Sequence, residues 1–241
     1  MAVRLNYWRQ PLGAVPEAVW RAADEVEVLI LAETGLTGRL PEQIGRLSRL
    51  RTLDLGHNAL TAVPGQLGAL PALTDYLYLH DNRLTELPAA LGRLSGLRYL
   101  NVGDNRLAEL PEEIGGMAGL VELRAGHNRL TGLPGSIGRL SRLRELWLRG
   151  NALSGLPASM AGLRELRELE LRENDLTRVP EPLAGLPLLR RLDLRGNRIT
   201  TLPDWLLGLP SLEKLDLRWN DVDASPHLLA ELARGGCTVL L

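Results

Sequence analysis

Asparagine recurs along this chain at a nearly constant spacing, and that spacing constrains the fold more than any other feature. The recurring asparagines are Asn58, Asn82, Asn105, Asn128, Asn151, Asn174, Asn197 and Asn220. The first separation is 24 residues, and the next six are 23 residues each. A fixed period in the twenties is typical of a solenoid, in which one structural unit stacks on the next. The chain is therefore expected to form one repetitive array.

The unit Leu97–Gly119, LRYLNVGDNRLAELPEEIGGMAG, shows how each coil is expected to fold. Leu100 and Val102 alternate with polar residues, which predicts a short strand with one buried face. Asn105 stands where the chain must leave the sheet, and its amide can both donate and accept hydrogen bonds there. Pro111 fixes φ for a short helical turn on the opposite side. The predicted fold class is α/β: a curved right-handed solenoid with a parallel sheet on its concave face and short helical or 3-10 turns on its convex face.

These residues and their spacing resemble the leucine-rich repeat family. The P-x-x-[I/L]-G-x-L ending, found at 41–47, 64–70, 88–94 and 134–140, is most similar to the intracellular Ras-group, or Scribble-like, repeats. The resemblance covers nearly the whole chain. It implies a horseshoe-shaped scaffold that binds other proteins, with small GTPases and kinases as one class of partner. Basic charge that is almost all arginine, with Lys214 the only lysine, indicates a GC-rich bacterial genome.

The array is expected to form a single domain over residues 1–241, since a stack of coils needs no internal boundary. Residues 1–25 are predicted to be a degenerate repeat that caps the N-terminal edge of the sheet. Residues 26–211 contain eight repeats of 23 or 24 residues. Residues 212–241 contain the last repeat and a C-terminal cap, which is predicted to consist of one helix and one short strand.

Several places depart from the regular unit. Thr34 replaces the asparagine of the second unit, and a hydroxyl can supply only part of the amide's hydrogen bonding, so this turn is expected to be loose. One extra residue precedes Leu77, which predicts a β-bulge in that strand. Near the C-terminus, Ser225 is predicted to cap the helix through its hydroxyl. Cys237 is expected to begin the last strand as a buried or half-buried thiol.

Charge and cysteine content argue against several classes of function. The chain has 28 basic and 29 acidic residues, and this balance argues against a bulk electrostatic grip on nucleic acid or an anionic membrane. The single cysteine, Cys237, rules out an internal disulfide, and the cysteine-bonded caps of extracellular family members are missing. No apolar run is long enough for a signal peptide or a membrane span. We expect a monomeric cytoplasmic protein without a cofactor.

Outward-facing strand residues are the predicted location of function. Neighbouring strands lie about 4.8 Å apart, so equivalent positions of successive units align as columns across the sheet. The middle of the array places aromatic and polar residues in these columns, and Tyr, Trp and Arg dominate the hot spots of protein interfaces. The predicted partner-binding residues are Tyr76, Tyr78, His80, Tyr99, Asn101, Arg124, Trp147 and Arg149. The alternative is that they are ordinary strand residues with good β propensity.

Arginine recurs in the seventh position of the units toward the C-terminus. These arginines are Arg149, Arg172, Arg195 and Arg218. Such a stripe could bind a phosphate or an acidic segment of a partner. The neighbouring carboxylates of Glu170, Asp193 and Asp216 could equally pair with the arginines across the strands. The second interpretation, a self-neutralised charged surface, is favoured.

The eighth position of four successive units carries possible metal ligands. They are His57, Asp81, Asp104 and His127. A line over four strands spans about 14 Å, which is too long for one ion to contact all four side chains. No metal site is therefore predicted in this column.

Catalysis has little support in the sequence. No P-loop, G-x-S-x-G or C-x-x-C motif is present, and no nucleophile motif accompanies the four histidines. The predicted function is a non-catalytic module that binds a protein partner on its concave face, as a signalling or regulatory scaffold. Two alternatives stay open: a hydrolase or transferase that uses concave His and Asp groups, and a structural protein that associates with itself.

Overall fold

A computed structural model describes residues 3–241, so Met1 and Ala2 of the predicted N-terminal cap lie outside the described chain. A parallel sheet of 11 strands runs through the array with the strands in chain order. Its strands are β1 (Val3–Asn6), β2 (Val26–Ile30), β4 (Thr52–Asp54), β6 (Tyr76–Tyr78), β7 (Tyr99–Asn101), β8 (Glu122–Arg124), β9 (Glu145–Trp147), β10 (Glu168–Glu170), β11 (Arg191–Asp193), β12 (Lys214–Asp216) and β13 (Thr238–Leu240). The predicted solenoid with a parallel sheet is confirmed.

The convex side consists of short turns, as predicted. Eight 3-10 turns cover Glu42–Arg46, Gly65–Ala69, Ala89–Arg93, Glu112–Gly116, Gly135–Arg139, Ala158–Gly162, Glu181–Leu183 and Asp204–Gly208. A proline precedes each turn in an extended conformation; Pro111, for example, has φ −65° and ψ 147°. The proline ring holds φ near this value, so it directs the chain into the turn. The two α-helices are α1 (Glu17–Arg21) and α2 (Pro226–Arg234), one toward each end of the array.

One hydrophobic core runs the length of the solenoid between the sheet and the turns. In the unit that contains β7, Leu100 and Val102 are fully buried, and Asn101 between them faces outward. The buried side chains form a continuous cluster from Val19 in α1 to Cys237 beside β13. A single unit has only one buried face of strand and one of turn, so its stability depends on the neighbouring units.

The recurring asparagines bridge consecutive coils. Asn105 is typical: its amide nitrogen donates to the carbonyl of Val102 in its own coil at 3.1 Å and to that of Leu79 in the preceding coil at 3.0 Å. Its amide oxygen accepts the backbone N–H of Leu84 in the preceding coil at 2.9 Å. The same pattern recurs at all eight asparagines. One side chain thus satisfies backbone groups of two coils that would otherwise be unpaired.

Thr34 does not loosen its turn. It is fully buried, and its hydroxyl donates to the carbonyl of Leu31 at 2.7 Å, as the asparagine amide does elsewhere. Its backbone carbonyl accepts the N–H groups of Leu12 and Gly13 in the preceding coil. Asn58 accepts the N–H of Thr34 from the following coil at 3.2 Å. Backbone groups and a neighbouring asparagine therefore replace the missing amide, and the expectation of a loose turn was wrong.

The extra residue before Leu77 does not disturb the paired part of its strand. β6 pairs with β4 and with β7 without a shift of register. The insertion is absorbed just before β6, where the N–H of Asp75 donates to Arg51 and the carbonyl of Thr74 accepts from Arg98. The predicted bulge within the strand was therefore misplaced by a residue or two. The other long unit contributes β3 (Thr37–Arg39), which pairs with β5 (Ala59–Ala62) of the next unit in a second, two-stranded sheet.

The C-terminal cap contains the predicted helix and strand, with one correction. Helix α2 begins at Pro226 and ends before Gly235 and Gly236, the second of which has a φ of +87°. The Ser225 side chain makes no capping hydrogen bond, so the predicted hydroxyl cap was wrong. The thiol of Cys237 is buried, and burial raises its pKa. Within residues 3–241, every helix is too short or too polar to cross a membrane.

Glycine in the convex turns allows consecutive coils to approach closely. A Cβ atom added to Gly92 would lie 2.1 Å from the carbonyl oxygen of Glu113 in the next coil. One added to Gly138 would lie 2.0 Å from the carbonyl oxygen of Ser159. Both contacts are with backbone atoms, which cannot rotate away. The close stacking of these turns therefore leaves no room for a side chain at Gly92 or Gly138.

Replacing Asn105 with alanine should destabilise the fold by about 1–3 kcal/mol, because it leaves buried backbone groups of two coils unpaired. Asn101→Ala is the matched control. Asn101 lies on the outward face of the same unit, and its side-chain oxygen accepts the N–H of Gly103 instead of bridging two coils. Urea unfolding measures both. Equal losses for the two variants would contradict the bridging role of the ladder.

Replacing Gly92 with alanine should cost about 1–3 kcal/mol, as overpacking does in a well-packed core. Gly132→Ala is the control, because a Cβ added there meets no atom within 4 Å. Thermal melting of the two variants gives the comparison. A Gly92→Ala protein as stable as Gly132→Ala would show that the convex turns can move apart freely.

Candidate binding surface on the concave face

The outward residues of the sheet form straight columns. In the fifth position, Tyr78 of β6 pairs with Asn101 of β7, which pairs with Arg124 of β8, which in turn pairs with Trp147 of β9. The pairings continue without a shift from β6 to β13. Equivalent side chains of neighbouring units therefore lie next to one another, about 4.8 Å apart at the backbone.

Three tyrosines from two strands form a compact group, here called the tyrosine cluster: Tyr76, Tyr78 and Tyr99. Their ring centroids are 5.0 Å apart for Tyr78–Tyr99, 5.6 Å for Tyr76–Tyr99 and 5.9 Å for Tyr76–Tyr78. Tyr76 is 47% exposed, whereas the other two are half-buried. Burial raises the pKa of Tyr99 to about 12, so its hydroxyl stays protonated and can donate a hydrogen bond at neutral pH.

Arg124 connects the tyrosine cluster to Trp147. Its guanidinium carbon lies 5.8 Å from the ring centroid of Tyr99 and 5.3 Å from that of Trp147. Glu122 holds the guanidinium in this place, since its carboxylate accepts from Nε at 2.5 Å. Both distances are in the range of cation–π attraction. The tyrosine cluster, Arg124 and Trp147 therefore form one continuous surface, here called the aromatic patch.

The other predicted partner-binding residues lie outside the aromatic patch or at its border. Asn101 lies between Tyr78 and Arg124 in the fifth column, and its side-chain oxygen accepts the N–H of Gly103 at 3.0 Å. His80 is at the border, with its ring 5.9 Å from that of Tyr78, and turns toward His57. Arg149 lies farther along the sheet, where it binds Glu173. The structure thus brings five of the eight predicted residues together directly.

The arginine stripe is largely neutralised by its own carboxylates. Arg149 donates to both carboxylate oxygens of Glu173, at 3.0 and 3.2 Å, and these bonds hold the pKa of Glu173 below its usual value. Arg195 pairs with Asp193, and Arg218 pairs with Asp216 through two hydrogen bonds. The Asp216 side chain is only 3% exposed. This geometry supports the self-neutralised interpretation over an open phosphate site.

A small cavity lies beside Trp147, where the aromatic patch meets the charged region. Its volume is about 190 Å³, and Glu170 and Asp193 line it together with the indole. Burial and the neighbouring Asp193 raise the pKa of Glu170.

The sequence pattern did not reveal a regular feature of the backbone at the border of the concave face. The residue just before each ladder asparagine adopts a left-handed conformation, with φ between 49° and 66°. These residues are His57, Asp81, Asp104, His127, Gly150, Glu173, Gly196 and Trp219. Glycine, aspartate and histidine tolerate this conformation better than most residues, and their frequency in this position was the available signal.

Trp219 was also missed as a surface residue. It is 66% exposed, and the guanidinium carbons of Arg172, Arg195 and Arg218 lie 5.8, 5.8 and 5.9 Å from its ring centroid. The indole therefore covers the C-terminal part of the arginine stripe. Its sequence position, directly before Asn220, was the only sign of this placement.

The histidines of the concave face do not form a recognisable catalytic group. The hydrogen bonds of His57 and His80 within the described chain join them to Asp81 and to each other, and include no hydroxyl or thiol. Over residues 3–241, no three His, Cys, Asp or Glu side chains are grouped so that they could hold a metal ion.

Comparison with known proteins agrees with the repeat architecture. A leucine-rich repeat region model matches residues 65–151, and a leucine rich repeat model matches residues 24–84 and 180–222. Among curated protein sequences, none matches the chain.

Solved structures with the same fold include bacterial and plant proteins. A leucine-rich repeat protein of Leptospira interrogans is 29% identical with a TM-score of 0.88, over 98% of this chain and 65% of that one. The plant peptide hormone receptor RGFR1, in complex with RGF2, is 31% identical with a TM-score of 0.77, over 94% and 41%. The ectodomain of the Arabidopsis receptor kinase HAESA, in complex with an extended IDA peptide hormone, is 27% identical with a TM-score of 0.78, over 91% and 38%.

The present chain thus spans between 38% and 65% of the length of these three proteins. The likeness covers nearly all of the array and includes the sheet, the turns and their order. Together, the two family models match most of the repeats. The chain belongs to the leucine-rich repeat family.

Proposed function

We propose that this chain is a non-catalytic module that binds a protein or peptide partner on its concave face, through the aromatic patch. One observation carries the proposal: tyrosine, arginine and tryptophan side chains from β6 to β9 touch one another in a single part-exposed surface. These residue types are enriched at the centre of protein interfaces, where they fill pockets and exclude water.

The solved relatives support a peptide as one kind of partner. RGFR1 and HAESA were each solved in complex with a peptide hormone. A peptide that crosses the concave face of the present chain would meet the tyrosine cluster, Arg124 and Trp147 in succession. The cavity of about 190 Å³ beside Trp147 could then receive one of its side chains.

The chemistry of the surface favours a partner that supplies apolar and cationic groups to the middle of the array. Arg124 is already paired with Glu122, and Arg149 with Glu173, so neither offers a free charge to an acidic partner. Glu170 by contrast borders the cavity beside Trp147 and is destabilised as an anion by burial. A lysine or arginine of the partner would stabilise this carboxylate and stack on the indole.

Small GTPases and kinases are the partner class to test first. The sequence feature that supports this class of partner is the P-x-x-[I/L]-G-x-L ending of the repeats, which resembles the intracellular Ras-group repeats. The single cysteine supports a reducing compartment, and the arginine bias supports a bacterial source. In this proposal the chain acts as a monomeric scaffold in the cytoplasm.

The triple variant Tyr78→Ala, Tyr99→Ala and Trp147→Ala should lose partner capture. Each residue is half-buried, so the variant removes contact area without opening the core. Hot-spot residues cost about 2 kcal/mol or more each, so the affinity should fall by well over a hundredfold. The measurement is affinity capture from the source cell, followed by titration of the captured partner against wild type and variant.

The matched control replaces three exposed arginines of the convex turns, Arg46, Arg93 and Arg139, with alanine. It changes the same number of side chains on the opposite side and should keep wild-type affinity. Both triple variants should melt close to the wild-type temperature. Capture that survives the loss of the aromatic patch, or that is lost with the convex control, would contradict this placement of the binding surface.

A further inference from the structure

Two histidines from neighbouring units meet near the N-terminal end of the concave face. The rings of His57 and His80 are edge to face, with centroids 4.7 Å apart, and their Nε2 atoms lie 3.2 Å from each other. Gly56 makes this possible, because a Cβ atom at that position would lie 2.4 Å from Cε1 of His80. The absence of a side chain on Gly56 lets the His80 ring lie across the preceding unit and reach His57.

Asp81 orients the first of these rings. Its Oδ2 lies 2.7 Å from Nδ1 of His57, so the carboxylate accepts the Nδ1 proton. That tautomer leaves a lone pair on Nε2 of His57, and this lone pair faces His80. A carboxylate that fixes an imidazole in this way is the usual support of a histidine that binds a metal through its other nitrogen.

His80 also presents Nε2 as its available nitrogen. Its Nδ1 is buried and has no hydrogen-bond partner, while Nε2 faces His57. Burial, together with the neighbouring His57, lowers the pKa of His80. The ring is therefore neutral near pH 7, which is the form that binds metals.

We propose that Nε2 of His57 and Nε2 of His80 together bind one divalent transition-metal ion, Cu²⁺ more tightly than Ni²⁺ or Zn²⁺. Imidazole nitrogens bind such ions at about 2.0–2.1 Å, so two nitrogens on one ion lie roughly 2.9–3.4 Å apart at square-planar or tetrahedral angles. The distance of 3.2 Å in this structure is within that range.

The surroundings of the pair leave space for the other ligands of the ion. A cavity of about 410 Å³ opens in front of the two rings and is lined by Glu33 and Asp54 as well as by Arg4. The protein supplies two ligands in this site, so water or a carboxylate of a partner would complete the coordination. Imidazole suits copper, nickel and zinc, and copper has the highest affinity of the divalent series.

The pair escaped the sequence analysis because its members come from different columns. His57 occupies the eighth position of its unit and His80 the seventh position of the next. The rejected metal site followed the eighth column alone, to His127. In the structure the ring of His127 lies over Gly150, whose added Cβ would be 2.7 Å from Nδ1 of that ring, and no second histidine adjoins it.

The test is a titration of the metal-stripped, tag-free full chain with CuCl₂ at pH 7.5, followed by calorimetry and electron paramagnetic resonance. One Cu²⁺ per chain should bind with the spectrum of two equatorial nitrogens. His57→Ala and His80→Ala should each weaken binding at least tenfold and remove one nitrogen. Asp81→Asn should weaken binding about 10–100-fold, as the loss of a supporting carboxylate does.

His127→Ala is the matched control, because His127 has the same position in its unit and the same left-handed backbone as His57. It should bind Cu²⁺ like wild type. Any Cu²⁺ that the double variant His57→Ala and His80→Ala still binds is bound elsewhere, for example at the amino terminus. If single-histidine variants fold poorly, His57→Gln and His80→Gln keep the side-chain volume without imidazole. Wild-type binding in the variants of both histidines, or no nitrogen coupling in the wild-type spectrum, would overturn the proposal.

Discussion

The hydrogen bonds of the asparagine amides across consecutive coils are the constraint on which the rest of the structure depends. Each amide bonds its own coil and the coil before it, so a coil cannot slip or rotate relative to its neighbour without leaving buried polar groups unpaired. The leucines provide most of the burial, but burial has no direction. The amides add direction, because only one relative placement of two coils satisfies all of their bonds.

The fixed stacking determines both faces of the array. On the sheet side it aligns equivalent residues, so that tyrosines of β6 and β7 come into contact although they are 21 to 23 residues apart in the chain. On the turn side it brings backbones so close that Gly92 and Gly138 can carry no Cβ atom. Packing and backbone hydrogen bonding therefore determine which residues occupy the buried positions. Residue type can vary at the outward positions of the strands and directly before the asparagines.

The repeated pattern of leucine, asparagine and proline predicts the strands, the turns, their order and the columns of the sheet, because these depend on backbone spacing. This pattern does not predict features that arise from contacts between side chains of different columns. The meeting of His57 with His80 requires Gly56 beneath the ring, and the cover of Trp219 over the arginines follows from a left-handed step. The irregular positions also depend on local alternatives: at Thr34 a backbone carbonyl replaces the amide, and the insertion before β6 is absorbed ahead of the paired residues.

The distribution of charge on the concave face agrees with the binding surface proposed for its middle. Toward the C-terminus, arginines and carboxylates pair within the chain, and a partner would have to break those pairs to form its own. The tyrosine cluster and Trp147 form no ion pairs. The tyrosine rings contact one another, Arg124 lies over Tyr99 and Trp147, and part of each ring remains open to solvent. A partner that covers them removes water from apolar surface without first separating an ion pair. The middle and the C-terminal part of one regular sheet therefore differ in whether a partner must first break contacts within the chain.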